Sequence, residues 1–209
     1  MELKDFVREF GQPYSEMLGI DLKSGRGEEA VKWFLAAILY SKPIRESSAT
    51  KTYRCFERHG VITAERIVRV GWDRLVSILD KGGYTRYDFS TADKLLEVFG
   101  NLEKLYNGDL TKLHNQSKDS LDLENRLKEL GKGIGDTTVS IFLRDMRGIW
   151  EKADPRPSPL VRSAIERLGI KDLKEYAREA GIDVVRLETA LLRYAKDFFR
   201  KGVALELTL

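Results

Sequence analysis

Apolar residues along this chain recur at three- and four-residue spacings and almost nowhere alternate, so the pattern predicts helices throughout. Residues 2–10 and 13–18 read as short helices, broken near Gly11 and Pro13, and 19–27 reads as a loop. Over 28–40, Val31, Phe34, Leu35, Ile38 and Leu39 cover most of a helix circumference, which is the mark of a buried helix. Ser41-Lys42-Pro43 stops it. A more polar helix over 44–59 carries Tyr53 and Phe56, and Thr63 is placed to cap a helix over 64–70. Another over 72–79 ends at Gly82-Gly83, and 89–106 carries a stripe of Leu95, Leu96, Phe99, Leu102 and Leu105. A minor helix follows at 110–115.

The next two helices form a pair. Leu123, Leu127 and Leu130 share one face of the first, with Ser120 as its expected cap, and Val139, Phe142, Leu143 and Met146 share one face of the second. Only Gly131-Lys132-Gly133-Ile134-Gly135 separates them, and Asp136 is the expected cap of the second. A polar loop, Glu151-Lys152-Ala153-Asp154-Pro155-Arg156-Pro157-Ser158-Pro159, leads to a short helix ending at Gly169, for which Ser158 and Pro159 are a good N-cap and first residue. Asp172 caps a helix to Ala180, and Asp183 caps a last helix over 184–201 whose stripe is Leu187, Leu191, Tyr194, Ala195 and Phe198. The tail over 203–209 alternates slightly and has no partner of its own. The fold expected is all-α, with about ten short helices.

Composition narrows the class. The length fits one large domain or two small lobes. Net charge is only +3, so any nucleic-acid contact must come from local clustering. Lys, Arg and Glu are abundant and glutamine is scarce, a balance that leans towards a thermophilic source. The single cysteine, Cys55, excludes an intramolecular disulfide and any Cys-based zinc or iron–sulfur site. His59 and His114 lie far apart and read as packing or surface residues, so no metal is expected. No signal-peptide pattern and no membrane-length apolar run are present, and an intracellular, soluble protein is expected.

The glycine-rich turn is the stretch with chemical promise. Gly133 and Gly135 can take positive φ and let another backbone come close. The turn opens onto a helix N-terminus, where the first amides lack intrahelical partners and the dipole favours an anion. Such a turn suits a phosphate; its plainer reading is a tight connection between packed helices. Arg144, Arg147, Lys152, Arg156 and Arg162 follow closely, as a basic cluster or as ordinary solvated charge.

The order of this pair, its turn and the following Gly/Pro-rich loop with Asp154 resembles the helix-hairpin-helix DNA glycosylases, in particular the endonuclease III-like branch. The resemblance implies two helical lobes flanking a cleft: 1–43 with 149–209 in one, and 44–148, ending in the helix-hairpin-helix at 121–148, in the other. It implies double-stranded DNA holding a damaged or mismatched base as partner, a monomer, no membrane and a cytoplasmic, nucleoid-associated location. It implies DNA contacts from Gly131, Lys132, Gly133, Ile134, Gly135, Thr137 and Thr138, and from Lys42 in the loop after the buried helix. The flipped base needs a pocket, for which Trp33, Tyr40, Tyr84, Tyr87 and Trp150 are the aromatic candidates. A monovalent cation on the turn carbonyls is a further implied ligand; the four-cysteine cluster of many such enzymes is excluded by composition.

Two departures from the family pattern set the expected chemistry. Where bifunctional members carry a Schiff-base lysine after the turn, this chain has Thr137, so the resemblance implies a monofunctional N-glycosylase. The family's catalytic aspartate caps the helix that here begins at Pro159. Alignment on Val161 and Arg167-Leu168-Gly169 puts Ser158 at that position, with Asp154 the nearest carboxylate earlier in the loop. Asp154 and Ser158 are thus the catalytic candidates, with an Asp-Pro turn and a helix cap as their structural alternatives. The competing readings are a catalytically inactive DNA-binding protein and a helical interaction module.

Overall fold

The computed structural model describes residues 1–199 and 205–209. Among these the chain is all-α: twelve α-helices, a 3-10 turn at Leu22–Ser24, a π-type segment at Tyr194–Phe199, and no strand. None of the described helices is long and apolar enough to cross a membrane. The chain divides into two compact units, Ile20–Pro155 and Met1–Gly19 with Arg156–Leu209.

The larger unit is built on α3 (Gly27–Tyr40). From Trp33 to Leu39 every residue of this helix is fully buried, as its all-round hydrophobicity requires. Phe34 meets Phe142 edge-on at 5.1 Å and Phe99 at 6.1 Å, so α3 joins α6 (Asp88–Tyr106) and α9 (Asp136–Met146) in one core. Around it lie α4 (Glu46–Arg58), α5 (Ala64–Gly82), α7 (Leu110–Gln116) and α8 (Ser120–Glu129). Thr63 caps α5 through the Arg66 amide as expected, and Gly71, at φ 77°, breaks that helix where two separate helices were read. Leu105 departs from the expected stripe of α6: it is exposed near the C-terminal end of the helix.

In the smaller unit α12 (Val184–Arg193) packs against α1 (Leu3–Phe10), α10 (Pro159–Leu168) and α11 (Leu173–Ala180), with α2 (Tyr14–Met17) alongside. Asp172 and Asp183 cap α11 and α12 through the Glu175 and Arg186 amides. Two expectations change here. The last α-helix ends at Arg193 and continues as the π-type segment; the reading to Lys201, and the start of the tail at 203, fall outside the described residues. The tail also has a partner: Thr208 bridges Glu2, with the Leu3 amide donating to the Thr208 carbonyl at 2.8 Å.

Candidate nucleic-acid interface

The paired helices form as their patterns require. Leu123, Leu127 and Leu130 are fully buried on the first, and Val139, Phe142, Leu143 and Met146 on the second. Their caps differ from expectation. Asp119, not Ser120, caps α8 by accepting from the Asp122 amide at 2.9 Å, while the Asp122 carboxylate accepts from the Lys118 amide at 2.8 Å. A carboxylate accepts amide hydrogens at both positions, so the cap moves one residue earlier. Asp136 does not cap α9 either. It is the first helical residue, and its carboxylate reaches back across the turn to Lys128 Nζ at 2.6 Å, a bond that lowers its pKa. Gly135 takes the N-cap position and has no side chain to offer, so the first turn of α9 carries no side-chain cap.

The turn is gripped by one face of α6. Asn101 Nδ2 donates to the Leu130 carbonyl at 2.8 Å, Glu97 Oε1 accepts from the Lys132 amide at 3.1 Å, and Lys94 Nζ donates to the Gly133 carbonyl at 2.8 Å. Val98 fills the gap between them, lying so close to Gly131 that a Cβ there would stand 2.6 Å from Val98 Cγ2. Positions 94, 97, 98 and 101 share a helical face, so a single stripe serves the whole turn. Nothing in the sequence singled out Lys94, Glu97 or Asn101, which read as the solvated side of an amphipathic helix. Only their tertiary neighbour gives them a role.

The glycines divide by cause. Gly131 allows the close approach to Val98, and Gly133 holds φ +86° with Lys94 Cε 2.9 Å from where a Cβ would lie. Gly135 has extended backbone and open space around it. Gly131→Ala should therefore cost about 1–3 kcal/mol by overpacking, and Gly133→Ala a similar amount, about 1–3 kcal/mol, by backbone strain. Gly135→Ala should cost under about 1 kcal/mol, the scale of an N-cap change. Urea unfolding of the three variants checks the order; a Gly135→Ala loss equal to that of Gly131→Ala would contradict it.

Lys132, Gly133, Gly135 and Thr137 are exposed, whereas Ile134 and Thr138 are buried. Lys42 Nζ lies 5.6 Å from the centre of the Tyr87 ring, and Arg86 approaches the same ring at 5.9 Å. Burial and the neighbouring Lys42 ammonium pull the Lys94 amine down to about 8. The other aromatic candidates are more internal. Trp33 is fully buried and donates Nε1 to the Phe142 carbonyl at 3.0 Å. Tyr84 is buried with its hydroxyl on the Leu39 carbonyl, and Tyr40 is half-buried with its hydroxyl 2.7 Å from Thr50 Oγ1. Trp150 is buried, stacked on His114 at 4.8 Å and edge-on to Phe142. Burial, with the Lys152 charge nearby, lowers the His114 pKa.

The basic cluster read around the pair is partly internal. Arg144 and Arg147 are buried, Arg144 pairing with Asp145 at 2.9 Å. Lys152 Nζ donates to the His114 carbonyl at 2.9 Å, and Arg162 to the Pro157 carbonyl at 2.9 Å. Two buried arginines cannot serve as solvated charge.

Asp154 is exposed at the end of the larger unit, its carboxylate 3.6 Å from Arg147 Nε, while Arg147 Nη2 also donates to the Pro155 carbonyl. Arg147 thus fixes both the carboxylate and the proline turn that follows it. Ser158 belongs to the smaller unit and caps α10, accepting from the Val161 amide at 3.4 Å, with Pro159 as the first helical residue. No protein-family model, curated protein or solved structure matches the chain.

Proposed function

We propose that this chain is a monofunctional DNA N-glycosylase of base excision repair, which flips out and hydrolyses away a damaged or mismatched base. On this reading the helix-hairpin-helix is formed by α8, the turn and α9, and two helical lobes flank a cleft that takes the base. The observation that carries it is the uncapped start of α9 behind an exposed glycine turn, with Lys132 in the turn and Lys94 bonded to it. Amides without partners at a helix start favour an anion, and the lysines add the charge that a polyanion needs.

The hydrolytic step is assigned to Asp154. A glycosyl bond breaks through a cationic sugar, and an ionised carboxylate opposes that charge or orients the attacking water. Arg147 is a positioning residue on this reading, because it touches Asp154 rather than substrate. Partner and location follow: duplex DNA bearing a lesion, bound by a monomer in the nucleoid. A monovalent cation at the turn would share the Gly133 carbonyl with the Lys94 ammonium.

Abasic-site formation across a panel of lesion duplexes, with salt-dependent binding measured alongside, tests the activity. Binding without excision on any lesion favours the second reading, an inactive DNA-binding protein. The observation on that side is Thr137, which carries no amine, together with an Asp154 carboxylate already shared with Arg147. The monofunctional assignment has its own test. No borohydride-trapped covalent adduct should form with any lesion duplex, since a hydroxyl cannot make a Schiff base. A trapped adduct would assign a lyase step to another amine.

A further inference from the structure

Resting on the phosphate reading of the turn, and deepening it, we propose that Lys94 is a positioning residue for that site. Its ammonium seats on Gly133 in the place of a side chain and locks the turn in the form that presents its open amides to a phosphate.

Glycine fills three of the five positions from 131 to 135, and it loses more conformational freedom on ordering than any other residue. A turn of this composition is ready for a ligand only when something outside it holds it still, because otherwise binding bears the cost of ordering it. The Leu130 and Gly131 carbonyls are held by neutral donors, the Asn101 side-chain amide at 2.8 Å and the Ile134 backbone amide at 3.2 Å. Gly133 is held by a charge. Its carbonyl accepts from Lys94 Nζ at 2.8 Å, and a Cβ on it would stand 2.9 Å from Lys94 Cε and 3.1 Å from Nζ. The end of the lysine therefore occupies the space that a side chain at 133 would need, against a backbone at φ +86° that other residues rarely adopt. Glycine at this position makes the seat, and Lys94 fills it.

A hydrogen bond from an ammonium is stronger than the neutral ones beside it. Among the described residues, Lys94 takes part in no ion pair with a carboxylate. Glu97, one helical turn along α6, accepts from the Lys132 amide, and Asp136, which opens α9, pairs with Lys128. Lys132 is the exposed cation of the turn itself. Burial first, and the Lys42 charge second, bring the Lys94 amine to about 8, so its proton is held below that pH and lost above it. A neutral amine donates more weakly, and the lock loosens as pH rises through this value.

The test follows the backbone amide resonances of Gly133 and Gly135 against pH by NMR, without DNA, in the intact chain, Lys94→Arg and Lys94→Met. Lysine labelled at its ε-carbon reports the Lys94 midpoint in the intact chain. There both glycine resonances should shift with that same midpoint, near 8. In Lys94→Arg, which stays charged, they should not. Duplex affinity is measured alongside, and circular dichroism checks that each variant is folded. Lys94→Met should weaken binding about 10- to 100-fold, the shift in equilibrium that a hydrogen bond to a charged group contributes, and Lys94→Arg should restore most of it. Affinity of the intact chain should fall by about three- to tenfold across the lysine midpoint, and that of Lys94→Arg should stay flat. A Lys94→Met variant with parental turn resonances, but a slope of log affinity against log salt lower by about 0.9, would make Lys94 a direct phosphate contact and overturn the positioning role. Glycine resonances that stay still through the lysine midpoint, in a chain that binds duplex, would sink that role alone. No duplex binding at low salt, by a chain whose resonances do track Lys94, would sink the phosphate reading and the role together.

Discussion

Trp33→Ala should cost the larger unit about 3–5 kcal/mol of stability, the range for deleting a fully buried aromatic side chain. That is a large share of the roughly 5–15 kcal/mol that holds a typical domain together. The side chain has no exposed surface, and its Nε1 donates to the Phe142 carbonyl, so it links α3 to α9 by packing and by a directional bond. Phe142 in turn meets Phe34 and Trp150. A cavity at Trp33 therefore loosens the platform on which the turn and the loop towards Asp154 are built. Trp33→Phe keeps most of the volume and loses the hydrogen bond, at about 1 kcal/mol plus a smaller cavity cost. Urea unfolding followed by circular dichroism separates the two variants. Had Trp33 faced a bound base, the alanine variant would unfold near the normal midpoint and fail only in lesion recognition. That outcome would move the residue from core to pocket.

Trp33 also marks the boundary of what periodicity can say. The sequence shows a helix apolar on nearly every side, and burial of α3 follows from that alone. The stripes on α8 and α9 and the caps at Thr63, Ser158, Asp172 and Asp183 were equally legible, because each depends on residues within a few positions of one another. A tryptophan on such a helix looks the same whether it packs on Phe142 or on a ligand. The choice depends on a partner 109 residues away.

The same limit hid the α6 face. Lys94, Glu97 and Asn101 are polar residues on an amphipathic helix, and solvation was their natural reading until the turn was placed against them. Asp136 was read as a cap because caps are local, but Lys128 across the turn offered a charged partner and took the carboxylate. Arg144 and Arg147 show the converse case. Charge predicted exposure, but internal acceptors at Asp145, Asp154 and Pro155 made burial tolerable. The α6 contacts join segments 29 to 39 residues apart, whereas the Lys128–Asp136 and Arg147–Asp154 pairs cross a short turn or loop, which helical periodicity does not encode.

Asp154→Asn should lower single-turnover base excision by about a hundred- to a thousandfold, the roughly 3–4 kcal/mol typical of a preorganised group facing charge that develops in the transition state. The substitution keeps the shape of the side chain and removes the charge. The carboxylate is 46% exposed, so its pairing with Arg147 contributes little to folding, under about 1 kcal/mol. The variant should fold normally and bind duplex as well as the parent or more tightly, because a negative charge near the phosphates is gone. Ser158→Ala supplies the contrast. Its hydroxyl accepts from the Val161 amide at the start of α10, and losing that cap costs about 1 kcal/mol. Excision measured on folded Ser158→Ala should stay near the parent rate. Both variants are run on whichever lesion duplex the panel finds active, with binding and unfolding measured beside the rate. Near-full excision by Asp154→Asn, with excision abolished in a stable Ser158→Ala, would transfer the catalytic role to Ser158. Full activity in both would leave the loop a structural connection and require the carboxylate to be sought elsewhere in the chain.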